Sequence, residues 1–403
     1  MIPSLRQDFN ARFTDEKYRA MRAELDRVTR TAIDLRVAET PVFLPSAMVA
    51  EMVEAGAAMT LQLLGNPEYL RMAEDAIPPA FRVANTDAHP NFMTADFGLV
   101  RERDGSLSPR LVELQAFPSV YGYQSALSAA YVNAFKLDPD LSQHLGASEE
   151  QYWEALREVI VGDHDPANVI LMEVTPEKQK TLPDFRVHED RLGIRTVDIS
   201  KVRQRGARLF YDRDGVETPV ERIYNRAIAD EMLRKQITPG FDLTADLDVA
   251  WAGHPNWYFL ISKFSLPFLQ HPAVPPSVFL DEWMRGEHQD RLPAERSDWI
   301  LKPLFSFAGK GIEFAPTDEL MHSIPSDQRR DYLLQQRMHF EPTVETPLGL
   351  TQAEIRIMYV WPDHGALRAI NTLVRLGRGK MMGVDHNRDQ LWVGASAGLI
   401  SVE

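Results

Sequence analysis

The chain has 403 residues, 44% of them hydrophobic and 25% charged, with a formal net charge of −14. Nucleic acids and anionic membranes are gripped mainly by cationic surface, so a chain this acidic is read as binding neither, and any polyanionic ligand must be held by a local cluster that works against the overall field. The absence of cysteine excludes disulfides, thiolate catalysis and cysteine-ligated metal centres. The charged start, MIPSLRQDFNARFTDEKYRA, does not read as a secretory signal. No segment is expected to reach the roughly 20 apolar residues of a membrane span. The expectation is a globular, cytoplasmic protein.

Along the chain, Tyr18, Met21, Leu25, Val28 and Ile33 keep helical spacing, and Val49–Leu64 is a second apolar-rich helix, so residues 1–90 read as an N-terminal helical region. Two strands follow, Phe97–Arg101 and Arg110–Leu114, joined by a hairpin turn at Asp104-Gly105. Ser148 and Gln151 form a capping-box pair ahead of an amphipathic helix. Asn168–Val174, a charged helical stretch and Arg195–Ile199 then alternate as strand, helix, strand, the signature of an α/β layer. HPNWYFLISKFSLPFLQHP reads as loop and helix, and the last hundred residues are mostly strands.

Several motifs are missing. GxxxxGK[ST], HExxH and a GxGxxG after a strand do not occur. Gly394-Ala395-Ser396-Ala397-Gly398 fits GxSxG, but that nucleophile elbow needs a following helix and a later acid and histidine, and five residues follow Gly398. The segment is expected to be a small-residue loop.

In WILKPLFSFAGKGI, Lys302 sits on an otherwise apolar strand that leads into Gly309-Lys310-Gly311. A lysine buried in such a strand calls for an anion, and a glycine-bearing hairpin can fold over phosphates or close as a lid over Phe305–Ile312. An ordinary hairpin with a surface lysine fits the same residues. Asp96 lies on one strand of the earlier hairpin, and Glu113 and Gln115 share a face of the other. Together they offer hard oxygen ligands suited to Mg²⁺, although a charged, solvated hairpin face is the alternative.

Taken together, these segments resemble the circularly permuted branch of the ATP-grasp superfamily, which includes glutathionylspermidine synthase-like proteins. TADFGLVRERDGSLSPRLVELQAFPS resembles that family's metal-binding segment, yet it precedes WILKPLFSFAGKGI, the reverse of the usual order. ERIYNRAIADEM resembles its Tyr-x-Arg segment and HPNWYFLISKFSLPFL the region of its earlier nucleotide-contacting lysine. The resemblance implies an α+β, circularly permuted ATP-grasp fold with an α/β pre-grasp layer and an N-terminal helical region. The implied divisions are 1–90 helical, 91–150 metal-binding half, 151–250 α/β pre-grasp domain and 251–403 nucleotide-binding half.

The resemblance further implies that Lys263, Lys302 and the Gly309, Lys310, Gly311 loop hold ATP phosphates, while Gln335, Gln336 and Arg337 meet adenine. Asp96, Glu113 and Gln115 hold Mg²⁺, Arg356 and Arg375 face the transferring phosphoryl group, and Arg226 faces the acceptor. Three departures from the family pattern stand out: Gln115 for Asn, Thr94 for Arg, and glutamine at the hinge strand for the commoner Glu. The implied activity is an ATP- and Mg²⁺-dependent carboxylate–amine ligase acting on small molecules through an acyl-phosphate. A kinase without ligation and a non-catalytic nucleotide-binding protein are the alternatives, and the sequence leaves homo-oligomerisation open.

Overall fold

The computed structural model describes residues 1–117, 119–138, 140–305, 311–379, 382, 383, 387 and 389–401. Strands are numbered here along the chain. At its centre a sheet runs in the order β1 (Val42–Pro45), β19 (Gly394–Ser401), β18 (Arg368–Gly377), β17 (Gly349–Val360), β2 (Phe92–Arg101) and β3 (Leu107–Gln115). Two short strands extend it: β16 (Val344–Thr346) pairs with β17, and β4 (Leu141–Ser142) with β19. The predicted hairpin is β2–β3, longer than expected and continuous with strands from the far end of the chain.

The two faces of this sheet differ. Met93, Ala95, Phe97, Ile355, Ile357 and Tyr359 alternate toward one face and join the largest apolar core. The helix Ser46–Leu64 is packed into that core through Val49, Met52, Ala55, Met59 and Leu63. It does have the length and composition of a membrane span, contrary to the sequence expectation, but those apolar residues cover the sheet. Gly56 brings it close: a Cβ there would lie 2.2 Å from the Tyr359 hydroxyl, which donates to the Val53 carbonyl. On the opposite face, Phe92, Met358, Val360 and Leu373 pack with Tyr121, Tyr152 and Leu156 from helices Tyr121–Phe135 and Glu149–Ile160. The second of these helices begins with the predicted capping box. Further along this face the side chains become charged.

A second sheet, in the order β12 (Ser277–Phe279), β15 (Tyr332–Gln336), β13 (Trp299–Pro303) and β14 (Glu313–Phe314), has its own core built on Val278, Trp299, Leu301 and Leu334. Alternation puts Ile300 and Lys302 on its other face. The predicted strand–helix–strand appears as β5 (Val169–Glu173), helix Leu182–Leu192 and β6 (Arg195–Asp198). It belongs to a parallel sheet in the order β11 (Ala250–Ala252), β10 (Arg222–Asn225), β5, β6. A small antiparallel sheet, β7 (Arg203–Arg205), β8 (Arg208–Arg213) and β9 (Val216–Val220), was not expected from the sequence. Its polar residues carry little alternation.

Two further corrections concern the chain ends. The N-terminal region is not purely helical, because β1 pairs in parallel with β19 from Val42↔Gly398 to Pro45↔Ser401. The GxSxG segment is the start of β19 and not a loop. Its small residues serve close packing: Gly394 has φ +122° and a Cβ there would lie 2.3 Å from the Arg36 carbonyl oxygen. The Ser396 hydroxyl is buried and donates to the Thr40 carbonyl at 2.6 Å. Gly394→Ala should therefore cost about 1–3 kcal/mol or more through backbone strain and overpacking, and Ser396→Ala about 1–2 kcal/mol through the bond lost. Chemical denaturation measures both, and labelling of Ser396 by a serine-reactive phosphonate would restore the hydrolase reading.

Candidate functional site

The charged stretch of the central sheet follows from register. Asp96 on β2 stands opposite Glu113 on β3 and Arg356 on β17, while Glu354, two residues before Arg356, stands opposite Arg375 on β18. Paired residues share a face, so all five side chains project together. Asp96 is 1% exposed and fully engaged: Arg356 Nε donates to Oδ1 at 2.6 Å and Nη2 to Oδ2 at 2.7 Å, and Arg375 Nη2 also reaches Oδ2. The same Arg375 nitrogen lies 2.5 Å from Glu354 Oε1. Burial pushes the Asp96 carboxyl up, but the two guanidiniums outweigh it and hold Asp96 below the usual carboxylate range. At Glu354 the same upward push of burial prevails: Asp96 and Glu113 add to it, Arg375 opposes it, and the carboxyl ends above its ordinary value.

Facing this row across a cavity of about 470 Å³ is the Lys302 strand. Glu113, Glu354 and Arg375 line one side, Lys302 and Ile300 another, and Lys263 from the turn Lys263–Phe268 completes the floor. Lys263 Nζ lies 3.4 Å from Glu113 Oε2. Lys302 is 4% exposed and has no hydrogen bond or ion pair to its ammonium among the described residues. Burial pushes it down to about 8, with Lys263 acting in the same direction and Glu113 and Glu354 opposing. Arg337 and Arg378 also line the cavity, so that among the described residues five cationic side chains stand there against two carboxylates in a chain whose net charge is −14.

Of the residues singled out in the sequence, Glu113, Lys263, Lys302, Arg337 and Arg375 meet at this cavity. Asp96 and Arg356 form the ionic layer at its side, and Gln115 stands next to it: its Nε2 donates to Glu113 Oε1 at 2.9 Å, while the side chain borders a smaller void with Phe117, Tyr258 and Phe305. Gln335 and Gln336 are on β15 beside the Lys302 strand, Gln335 with a buried amide whose two polar atoms have no partner among the described residues. Gly311 has φ +72°, and a Cβ there would lie 2.8 Å from Pro303, so glycine is needed. Gly309 and Lys310, with most of the predicted lid, lie outside the described residues. Arg226 does not line the cavity. It is buried at the end of β10 over the rings of Phe117 and Phe185, 5.5 and 5.7 Å from their centroids, and its Nε and Nη1 have no hydrogen-bond partner among the described residues. Beside it Glu173 ends β5, pushed up by burial to about 8 with Arg226 opposing.

Glu354 was missed in the sequence. The signal was present, since Glu354 and Arg356 are two charged residues at alternate positions of the apolar strand AEIRIMYVW.

No family model matches the chain, and no curated protein matches it in sequence. A solved structure does: the glutathione synthetase-like effector of Globodera pallida, in its apo form, aligns with 100% of this chain and 99% of its own, with a TM-score of 0.59 and 11% identity. At that identity the likeness is one of fold. The chain is a mixed α+β protein with a glutathione synthetase-like fold, an architecture compatible with ATP-grasp.

The resemblance read from the sequence implies a nucleotide and a divalent cation. The cavity fits the first through its excess of cations and the buried Lys302 ammonium. For the second, the Asp96, Glu113, Gln115 set is not presented as three open ligands, because both Asp96 oxygens are taken by arginines and the Gln115 amide bonds Glu113. Among the described residues no three His, Cys, Asp or Glu side chains form a ready metal cluster. Glu113 and Glu354 do face the cavity, and two carboxylates suffice for Mg²⁺, which keeps several waters and takes further oxygens from phosphate.

Lys302 supplies a prediction. Its charged form is penalised in the fold by a displacement from 10.5 to about 8, on the order of 3 kcal/mol. Lys302→Met should therefore raise the stability of the ligand-free protein at pH 7. That advantage is fully present below pH 8 and should shrink as pH rises toward 10.5, where the lysine is neutral in the folded state and losing its proton in the unfolded one. Denaturation curves across this range test it, and a variant less stable than wild type at pH 7 would show that Lys302 is structurally paired.

Proposed function

We propose that the protein is an ATP- and Mg²⁺-dependent carboxylate–amine ligase of circularly permuted ATP-grasp type. The observation that carries this reading is the buried Lys302, without a partner among the described residues, at a cavity rich in cations, inside an otherwise acidic chain with a glutathione synthetase-like fold. Lys302 and Lys263 hold phosphate oxygens, and the β15 edge with Gln335, Gln336 and Arg337 borders the base. Arg375, whose Nε has no hydrogen-bond partner among the described residues, meets negative charge developing on the transferring phosphoryl group. Arg356 keeps Asp96 fixed, and Asp96 in turn fixes Arg375. Glu113 would hold the divalent cation, which would supply positive charge against the phosphate oxygens. The substrate carboxylate takes the phosphoryl group to give an acyl-phosphate, and an amine displaces phosphate from it.

The acceptor belongs near Arg226. Asn225 and Glu173 end β10 and β5, neighbouring strands of a parallel sheet from which the chain leaves in opposite directions, and ligands of such sheets sit outside the carboxyl ends at this switch point. Phe117 joins the two regions, because it packs under Arg226 and borders the void that holds Gln115.

A second reading, nucleotide binding without turnover, is favoured by one observation: Asp96 is committed to two arginines. Release of ADP, screened over amino acids, short peptides and polyamines, separates the readings. Turnover that needs both an acid and an amine supports the ligase, turnover with the acid alone points to a kinase, and binding with no ADP points to the non-catalytic protein. Glu113→Ala should lower ADP release by at least about 100-fold while leaving the melting curve nearly unchanged, because removing electrostatic stabilisation of the phosphoryl group costs on that scale. Wild-type turnover in this variant at saturating Mg²⁺ would remove Glu113 from the site.

A further inference from the structure

Two carboxylates other than Glu113 lie in the ionic layer, and they are placed differently. Asp96 is sealed beneath the cavity, with both oxygens bonded by Arg356 and one also by Arg375. Glu354 lines the cavity itself and has one ionic partner, Arg375, which meets Oε1. An oxygen that accepts a guanidinium cannot also bind a cation without first losing that partner, and Asp96 has two such partners to lose. Among the described residues Glu354 has only the contact to Arg375, an arginine whose Nε has no hydrogen-bond partner there.

The cavity also carries a separate sign of its ligand. Lys302, more than nine-tenths buried and with no partner on its ammonium among the described residues, projects into the same space from the opposite sheet. Its charge calls for an anion there. A phosphate bound between Lys302 and Lys263 would draw Arg375 as well, and an arginine shared with phosphate is one less held by Glu354. The carboxylate so released lies beside Glu113, on the side of the cavity where a cation on the phosphate has no other acidic neighbour among the lining residues.

On the ligase reading, from which this follows, we infer that Glu354 and Glu113 together face the divalent cation of the bound metal–nucleotide, and that Asp96 is a positioning residue for Arg356 and Arg375. The sequence-based assignment of Asp96 as a metal ligand passes to a residue the motif does not contain.

The test uses Mn²⁺ as the probe, titrated into the full chain with a non-hydrolysable ATP analogue and followed by electron paramagnetic resonance. Analogue binding in EDTA is measured in parallel. Glu354→Gln should weaken Mn²⁺ in the ternary complex by at least about 10-fold, the loss that even an outer partner of a metal site brings, while metal-free analogue binding stays within about threefold of wild type. Asp96→Asn should lower thermal stability, because the buried Arg356 and the half-buried Arg375 lose their charged acceptor, and keep Mn²⁺ affinity within about threefold. Wild-type Mn²⁺ affinity in Glu354→Gln overturns the inference, as does a tenfold loss in Asp96→Asn alone. Should either variant fail to fold, Glu354→Asp, which keeps the charge on a shorter arm, decides: Mn²⁺ affinity below wild type supports the inference and an unchanged value overturns it. If wild-type protein binds neither the analogue nor its Mn²⁺ complex, the ligase reading itself falls, an outcome distinct from the others.

Discussion

Two arginines and two carboxylates of the central sheet, the buried Asp96, Arg356 and Glu354 and the half-buried Arg375, are the interaction on which the rest of the molecule depends. Charges taken out of water cost several kcal/mol each unless they are paired and hydrogen-bonded. Here the pairing is supplied by strands from opposite ends of the sequence: β2 brings Asp96, and β17 and β18 bring the arginines and Glu354. A register slip of one residue on β17 would turn Arg356 into the apolar core and leave Asp96 unpaired. The row therefore specifies strand pairing as well as the wall of the cavity.

The opposite wall is built by different means. Strand β13 belongs to a sheet with its own apolar core, Trp299 and Leu301 on one side, so that Ile300 and Lys302 must face outward toward the central sheet. Neither wall alone would hold a polyanion. The acidic character of the chain repels such ligands at a distance, and the cations that oppose it are concentrated where the two sheets approach.

Much of this was legible in the sequence where the signal was local. The hairpin around Asp104-Gly105, the Ser148 cap, the strand–helix–strand of Val169–Asp198 and the late strands all rest on alternation, turn residues or caps, which act over a few residues. Lys302 was visible because a lysine interrupts an apolar strand. What was not legible depends on partners far away in sequence. Glu354 acquires its place from Arg375 and Glu113, and Asp96 its confinement from Arg356, neither of which is readable from the β2–β3 segment. The segment 394–398 reads as a loop because small residues resemble turn residues. Only the approach of Arg36 and Thr40 shows that they make room for a strand. The likeness of fold to a glutathione synthetase-like protein agrees with the coarse expectation and leaves the order of the ATP-grasp halves as a proposal.

The parallel pairing of β1 with β19 bears on how the protein is made. Val42 is beside Gly398 and Leu44 beside Ile400, so that a strand formed earlier in synthesis waits for one made much later. Until then the nascent chain carries an open sheet edge and an uncovered apolar helix, Ser46–Leu64, whose buried side chains include Met52, Met59 and Leu63. Contacts of such high sequence separation close slowly, since the entropy of a long loop must be met before any contact rewards it. A growing chain of this kind is the sort of client that chaperones shield during translation.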